Sequence, residues 1–337
     1  MNKVAVVLLN WNGEKILPIF LPSVVENSYD AEIYLIDNGS NDSSLEYVRK
    51  KFPLIKIIEL DKNYGFAGGY NKGLKEIKAE YFILLNTDVK VSEGWISPII
   101  EFMDKNSNIA AVQPKILSYT NPKRFEYAGA SGGFIDKWAY PLARGRIFNI
   151  VEEDKGQYDD IRPIFWASGA AMFVRSELFF RVGGFDSDFF AHMEEIDLCW
   201  RLKNIGKEIY VFPKVKVFHL GGGTLSYQNP RKIYYNFRNS LFMLIKNLPS
   251  RQVFIKILWR LILDFLAAIN FLINKPRSGA WQITKAHIYF YKNLNKLIKK
   301  RKHYKKVNKF NYSEILNKSI IWQFYFRKKQ KFSEIVD

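Results

Sequence analysis

Carboxylates, amides and one histidine are spaced along the first two-thirds of this chain in a pattern suited to a charged substrate. Asn10, Asp37, Asn63 and Asp88 each fall at or just after the end of an apolar, β-rich run. In open α/β sheets ligands bind beyond the carboxyl ends of the strands, so these four read as one site assembled from separated segments. In Leu84-Leu85-Asn86-Thr87-Asp88, the last carboxylate is a natural ligand for Mg2+ or Mn2+ bridging a diphosphate; the plainer alternative is a turn aspartate capping the next segment. The stretch Asn63-Tyr64-Gly65-Phe66-Ala67-Gly68-Gly69-Tyr70-Asn71-Lys72-Gly73 lets backbone approach a bound group closely, and a helix start there offers N–H donors to phosphate. It matches neither the P-loop nor the G-x-G-x-x-G dinucleotide fingerprint. Glu194, Glu195 and Asp197 crowd the start of a helical stretch. Negative charge there favours the helix dipole, and the sharper reading makes one of them a general base that deprotonates a substrate hydroxyl. His219 follows strand-like residues and precedes Gly221-Gly222-Gly223; it has a purely structural reading and also one as the residue that completes a metal site.

These residues need a scaffold, and the front of the chain supplies one. Strands are predicted over 4–9, 31–36, 55–60 and 81–85, with helices over 16–25, 43–51 and 68–77 between them. Such alternation implies a mostly parallel sheet with crossover helices. Further on, 111–117 and 165–175 read as strands, 149–163 as an acidic loop, 194–204 as a helix, and 209–212 and 215–218 as short strands before His219.

Charge divides the chain. Residues 1–229 hold 27 Lys/Arg against 29 Asp/Glu, and residues 230–337 hold 24 against 4, so the net +18 belongs to the rear. That asymmetry calls for an anionic surface, either membrane or nucleic acid. Residues 253–273 are apolar over the length of a span, yet Lys256, Arg260 and Asp264 recur every fourth residue on one helical face. An in-plane amphipathic helix is therefore expected instead of a span, and the 12 Lys/Arg of residues 275–309, mixed with Trp281, Tyr289, Phe290 and Tyr291, suit a membrane interface. Nucleic-acid binding would not require such a helix. A single cysteine, Cys199, excludes an internal disulfide and suits a reducing compartment. The apolar residues 4–9 lead straight into Asn10-Trp11-Asn12-Gly13 without a small-residue cleavage site, so they are expected as a buried strand and not a signal peptide.

Taken in order, these pieces resemble glycosyltransferase family 2 with its GT-A fold, and within it the bacterial rhamnosyltransferase-like members, over roughly residues 4–238. The matching segments are Leu9–Gly13, Ile36–Ser43, Asn63–Gly73, Asn86–Asp88, Ser168–Met172, Gly183–Asp186, Glu194–Asp197 and His219. The resemblance implies an α/β fold with a Rossmann-like mixed, mostly parallel sheet and a catalytic domain over 1–235; the composition of the rear adds a helical, basic, membrane-associating region over 236–337. The resemblance also implies a metal-dependent, inverting hexosyltransferase. The donor would be a nucleotide-diphospho-sugar, with dTDP-rhamnose the first choice. The basic, amphipathic tail suggests that the acceptor is a hydroxyl of a glycan or polyprenyl-diphosphate-linked glycan in bacterial cell-surface polysaccharide synthesis, with the enzyme on the cytoplasmic face of the membrane.

Roles follow by position. Asn10, Asp37, Asn63, Gly65, Phe66, Asn71, Asn86, Asp88 and Arg238 would bind the donor, with Asp37 reading the nucleobase. Asp88 and His219 would hold the divalent metal, Mg2+ or Mn2+. Glu195, or else Glu194, would be the base. Trp166 and Asp197 would contact the acceptor. Asn86 replaces the first Asp of the family's D-x-D, and Glu195 replaces the Asp of its E-D pair. The competing expectations are a nucleic-acid-binding protein and a catalytically inert scaffold of the same fold.

Overall fold

The computed structural model describes residues 2–221, 229–274, 278–304 and 312–336. Strands β1 (Asn2–Asn10), β2 (Glu32–Asp37), β3 (Lys56–Glu59) and β4 (Ala79–Leu85) alternate with helices α1 (Leu17–Asn27), α2 (Ser44–Lys51) and α3 (Gly65–Gly73). Then follow β5 (Val89–Lys90), α4 (Ser97–Lys105) and β6 (Ile109–Ser118). A run of short strands comes next: β7 (Gly133–Asp136), β8 (Pro141–Ala143), β9 (Arg146–Ile147), β10 (Ile150–Val151) and β11 (Arg162–Pro163). After β12 (Ala171–Arg175), helices α5 (Ser176–Arg181) and α6 (Glu194–Asn204) lead into β13 (Glu208–His219). The rear holds α7 (Pro230–Asn247), α8 (Ser250–Asn274), α9 (Ser278–Lys292), α10 (Leu294–His303), β14 (Ile315–Leu316) and α11 (Phe332–Val336).

The main sheet runs β11-β13-β6-β12-β4-β1-β2-β3, with β5 added on β13. β1 lies parallel to both β2 and β4, β2 to β3, and β6 to β13, while β12 runs antiparallel between β4 and β6. This is the mixed, mostly parallel sheet of the GT-A fold. Its central strands are continuously apolar because both faces are covered: Val4 to Leu8 and Tyr81 to Leu85 are all buried. The two short strands expected before His219 are one strand, β13, whose register slips between Phe212 and Lys216. Pro213 sits at that slip, and a residue without an N–H is at home in a bulge. Of the strand expected over 165–175 only Ala171–Arg175 forms. Ahead of it the Ser168 amide leaves the ladder to donate to Gln113 Oε1 at 2.8 Å.

A boundary at 235/236 does not divide the molecule, because α7 runs unbroken across it. The rear is also stitched into the front. β14 extends the second sheet, β10-β9-β8-β7-β14. Phe332 of α11 is buried with its ring 5.0 Å from Phe134 and 5.9 Å from Tyr158, and its amide donates to Glu152 Oε1.

Helix α8 is turned inside out relative to a water-soluble helix. The charged stripe faces the body: Arg260 is buried, paired with Asp264 at 2.6 Å and centred 4.4 Å over the Tyr140 ring. Asp264 also meets His287 of α9 at 3.0 Å, and Lys256 donates to the Lys137 carbonyl. The opposite face is apolar and exposed, with Phe254 at 75%, Phe265 at 64% and Ile273 at 74%. No helix among the described residues is long and apolar enough to cross a membrane.

The packing of α11 makes a simple expectation for stability. Phe332→Ala should lower the unfolding free energy of the whole chain by about 3 kcal/mol, read as a shift of the main urea transition. An unmoved transition would mean that the rear folds as a separate unit.

Candidate functional site

Parallel register brings the first site residues level. Asn10 and Asp37 are paired positions at the carboxyl ends of β1 and β2. Asp37 is buried; its Oδ1 accepts from Asn10 Nδ2 at 2.9 Å and Ser40 Oγ at 2.6 Å, and its Oδ2 from the Ser40 amide at 2.9 Å. Asn10 is fully enclosed and also donates to Ser44 Oγ. Its Nδ2 brackets Asp37, and its own Oδ1 is enclosed without a hydrogen-bond partner. Trp11, the next residue, is 48% exposed beside it.

Asp88 follows the end of β4, and β5 then turns to pair antiparallel with the end of β13, setting Val89 opposite His219. That pairing delivers the imidazole to the carboxylate: His219 Nε2 lies 3.0 Å from Asp88 Oδ1 and 3.3 Å from Asn86 Nδ2. On the far side of the ring, Nδ1 lies 3.1 Å from Glu126 Oε2. Burial works against a charged imidazole, but Asp88 and then Glu126 outweigh it and raise the His219 pKa to about 10. Burial likewise opposes the Asp88 charge, and the facing histidine holds that carboxyl below its ordinary range.

Asp88 Oδ1 and His219 Nε2 meet at 3.0 Å, the distance of a direct hydrogen bond, and no group of three or more His, Cys, Asp or Glu among the described residues is placed to hold a metal ion. The same spacing suits two cis ligands each about 2.1 Å from an octahedral ion, which stand roughly 3.0 Å apart. A carboxylate on the other ring nitrogen, here Glu126, is the usual orienting partner of a ligating histidine. Glu126 was not foreseen. It lies on the irregular stretch after β6 with no motif around it, and only the fold brings it to His219. Residues 222–228, including Gly222 and Gly223, lie outside the described residues.

The acidic cluster at the start of α6 splits into two kinds. Glu194 is buried and Glu195 is partly exposed, and one carboxylate oxygen of each is enclosed without a hydrogen-bond partner. Burial pushes the Glu195 pKa up to about 7; burial and then the charge of Glu195 push Glu194 well above its usual value. Asp197, expected at the acceptor, is instead fully enclosed. Its Oδ1 accepts from Lys246 Nζ at 2.8 Å and Asn247 Nδ2 at 2.7 Å, and its Oδ2 from Arg201 Nε at 2.9 Å. Burial opposes its ionisation, and Lys246 and Arg201 overcome that and keep its pKa low.

The loop into α6 is held from outside. Phe190, His192 and Met193 all have positive φ, of 65°, 70° and 71°, conformations that cost energy for residues with a side chain. Asn239 Nδ2 donates to the carbonyls of Phe189, Ala191 and His192 at 2.7–3.0 Å. Arg238 donates to the carbonyls of Asp188 and Phe189. Arg238, expected near a diphosphate, is therefore spent on this loop and boxed among the Tyr234, Tyr235, Phe242 and Tyr289 rings. Lys246 closes the same seam by pairing with Asp186 at 2.6 Å as well as Asp197. Asn239 and Lys246 are seven apart, on one face of α7, a spacing the sequence offers to anyone reading buried polar positions.

Other expected ligand residues are also occupied. Asn71 clamps the turn before Asp186, accepting from the Phe185 amide and donating to its carbonyl. Phe66 packs edge-on against Tyr70. The N–H groups at the start of α3 are not open to phosphate: Gly65 donates to Asn63 Oδ1, and Phe66 and Ala67 to the Phe190 carbonyl. Gly65 earns its place otherwise, since at φ 71° a Cβ would lie 2.6 Å from that carbonyl. Asn63 ties this turn to Asn38, whose Nδ2 lies 3.2 Å from its Oδ1. Trp166 is core, its indole N–H donating to the Phe134 carbonyl. A surface cavity of about 710 Å3 between α4 and β13 contains none of these residues.

The fold and sequence have relatives. The chain superposes on GalNAc-T7, solved with UDP, GalNAc and Mn2+, with a TM-score of 0.61 over 97% of this chain and 57% of that one, at 16% identity. In sequence it is 23% identical over 201 residues to the N-acetylglucosaminyl-diphospho-decaprenol L-rhamnosyltransferase of Mycobacterium tuberculosis, covering 56% of this chain and 66% of that protein. It is 21% identical over 264 residues to the low-salt glycan biosynthesis hexosyltransferase Agl10 of Haloferax volcanii, covering 76% and 78%. The model of glycosyl transferase family 2 matches residues 5–177, half of the chain. With that match and the GT-A sheet that carries the site, the chain belongs to glycosyltransferase family 2.

Proposed function

We propose that the protein transfers a hexosyl group, with inversion, from a nucleotide-diphospho-sugar to a hydroxyl of a lipid-linked glycan at a divalent-metal site built on Asp88 and His219. The observation that carries this reading is the 3.0 Å Asp88–His219 pair at the carboxyl edge of the sheet, backed by Glu126. A bound cation there would supply the positive charge that neutralises a leaving diphosphate. Glu195 is the base. It is partly open at the start of α6 and has a pKa near 7, so it can accept the acceptor proton at neutral pH. The acceptor oxygen bonds to the anomeric carbon as the bond to the diphosphate breaks, and no enzyme nucleophile is needed. Asp37, fixed by Asn10 and Ser40, reads the nucleobase, with Asn63 and Asn86 on the donor side.

The mycobacterial relative is named for rhamnosyl transfer to a diphospho-decaprenol-linked sugar. That supports dTDP-rhamnose as first donor and a polyprenyl-diphosphate-linked acceptor here, in cell-surface polysaccharide synthesis. The outward apolar face of α8 supports peripheral attachment, since so large an apolar patch facing water marks an interaction surface. The net +20 of residues 230–337 suits the anionic cytoplasmic leaflet.

Three outcomes are expected. In a thermal-shift panel of UDP, dTDP and GDP sugars with and without Mn2+, one nucleotide class should stabilise the wild type only with metal, and Asp88→Ala should abolish the shift; a panel with no shift rejects the donor site. Because the base acts deprotonated, kcat/KM should climb as pH rises through about 7, and Glu195→Gln should lose at least about a hundredfold. A flat profile with an active Glu195→Gln variant would remove Glu195 from the role. Phe254→Glu combined with Phe265→Glu should release the protein from anionic liposomes without unfolding it, and undiminished binding would refute the α8 surface.

A further inference from the structure

Between the first turns of α7 and the outer side of α9 lies a cavity of about 450 Å3 whose lining includes three cations, Arg231, Lys285 and Lys292. No acidic residue lines it among the described residues. One turn further on, Lys296 and Lys300 are drawn onto Asp188 and Asp186, whereas no ion pair among the described residues draws the three pocket cations onto a carboxylate. Tyr234, Tyr235 and Tyr289 form its aromatic wall, and Gln282 adds an amide. The rim is apolar, with Ile288 at 45% and nearby Trp281 at 55% exposed.

The cavity borders the catalytic wall. The Tyr235 ring stacks on Phe190 at 5.6 Å and 21°, and Phe190 belongs to the strained loop that leads to Glu194 and Glu195. Lys232, on the same turn of α7, lies over the Tyr127 ring and feels the charge of Glu126, the carboxylate behind His219. α9 also packs on α8, where Gly279 sits so close to Phe271 that a Cβ would lie 2.2 Å from the ring. The pocket and the outward apolar helix therefore belong to one helical layer.

A cluster of cations with phenol and amide donors and an apolar rim matches an amphiphile whose phosphate head carries a hydrocarbon chain. We propose that this pocket seats the diphosphate of the prenyl-linked acceptor and so presents the acceptor sugar to Glu195. This rests on the lipid-linked acceptor reading above and assigns it a place in the structure.

The test uses the full chain and the triple variant Arg231→Gln/Lys285→Gln/Lys292→Gln. Binding is measured to phosphatidylcholine vesicles carrying undecaprenyl diphosphate, and to vesicles of equal charge carrying phosphatidylglycerol. The wild type should prefer the prenyl diphosphate, and the variant should lose about tenfold on it while changing little on phosphatidylglycerol. Equal losses on both vesicles would reduce the pocket to general membrane electrostatics and overturn the proposal, as would a wild type with no preference. Competition by free pyrophosphate without a prenyl preference would assign the pocket to soluble diphosphate and overturn it too. The nucleotide and Mn2+ thermal shift, measured on the same proteins, should be unchanged in the variant. If the wild type itself shows no such shift, the donor reading fails while the vesicle result still judges the pocket.

Discussion

One lysine holds the loop before α6 in place. Lys246 is fully buried at the end of α7 and is shared between Asp186 and Asp197, also buried, at 2.6 and 2.8 Å. Three charges taken out of water are costly, and they persist only because each compensates another; removing one partner of such a set typically costs about 3–5 kcal/mol. Between those two aspartates runs the loop with three positive φ values. Asp186 fixes its start, Asp197 the helix it enters, and Asn239 of the same α7 face gathers its carbonyls. The strain in that loop is tolerable because α7 over-determines it.

The same arrangement separates the acids of α6 by chemistry. Asp197 faces Lys246 and Arg201 and stays ionised, while Glu194 and Glu195, two or three residues earlier, have burial without a cation and are pushed up. Opposite shifts in neighbouring carboxyl groups mark different surroundings: one group is held by cations in the wall, and the other two are buried without one. Asp186 repeats the first pattern, with Lys246 and Lys300 overcoming its burial and depressing its pKa.

The rear of the chain works in two directions. Its buried polar groups face the catalytic body, through α7 and through the Arg260–Asp264–His287 cluster. Its apolar residues face out along α8. A helix that spends its charges inward on specific partners is left with hydrocarbon outward, so the amphipathic pattern that fixes the helix to the body also creates the exposed surface.

Strand periodicity and polar strand ends are local signals, so the α/β order and the places of Asp37 and Asp88 could be read directly from the sequence, and so could the helix of Glu194–Asn204. Side-chain type was local too; what each group would bond was not. Asn71, Arg238, Trp166 and Asp197 have ligand-like chemistry and spend it on Phe185, the 188–189 carbonyls, Phe134 and Lys246. Glu126 carries no motif and becomes part of the site only because β5 and β13 pair and bring His219 beside it. The sequence by itself determined the kinds of group available and the strand ends where they gather. The tertiary structure decided which of them are consumed in holding the loop and which are left for substrate, because a hydrogen bond depends on two partners and the second is usually distant in the chain.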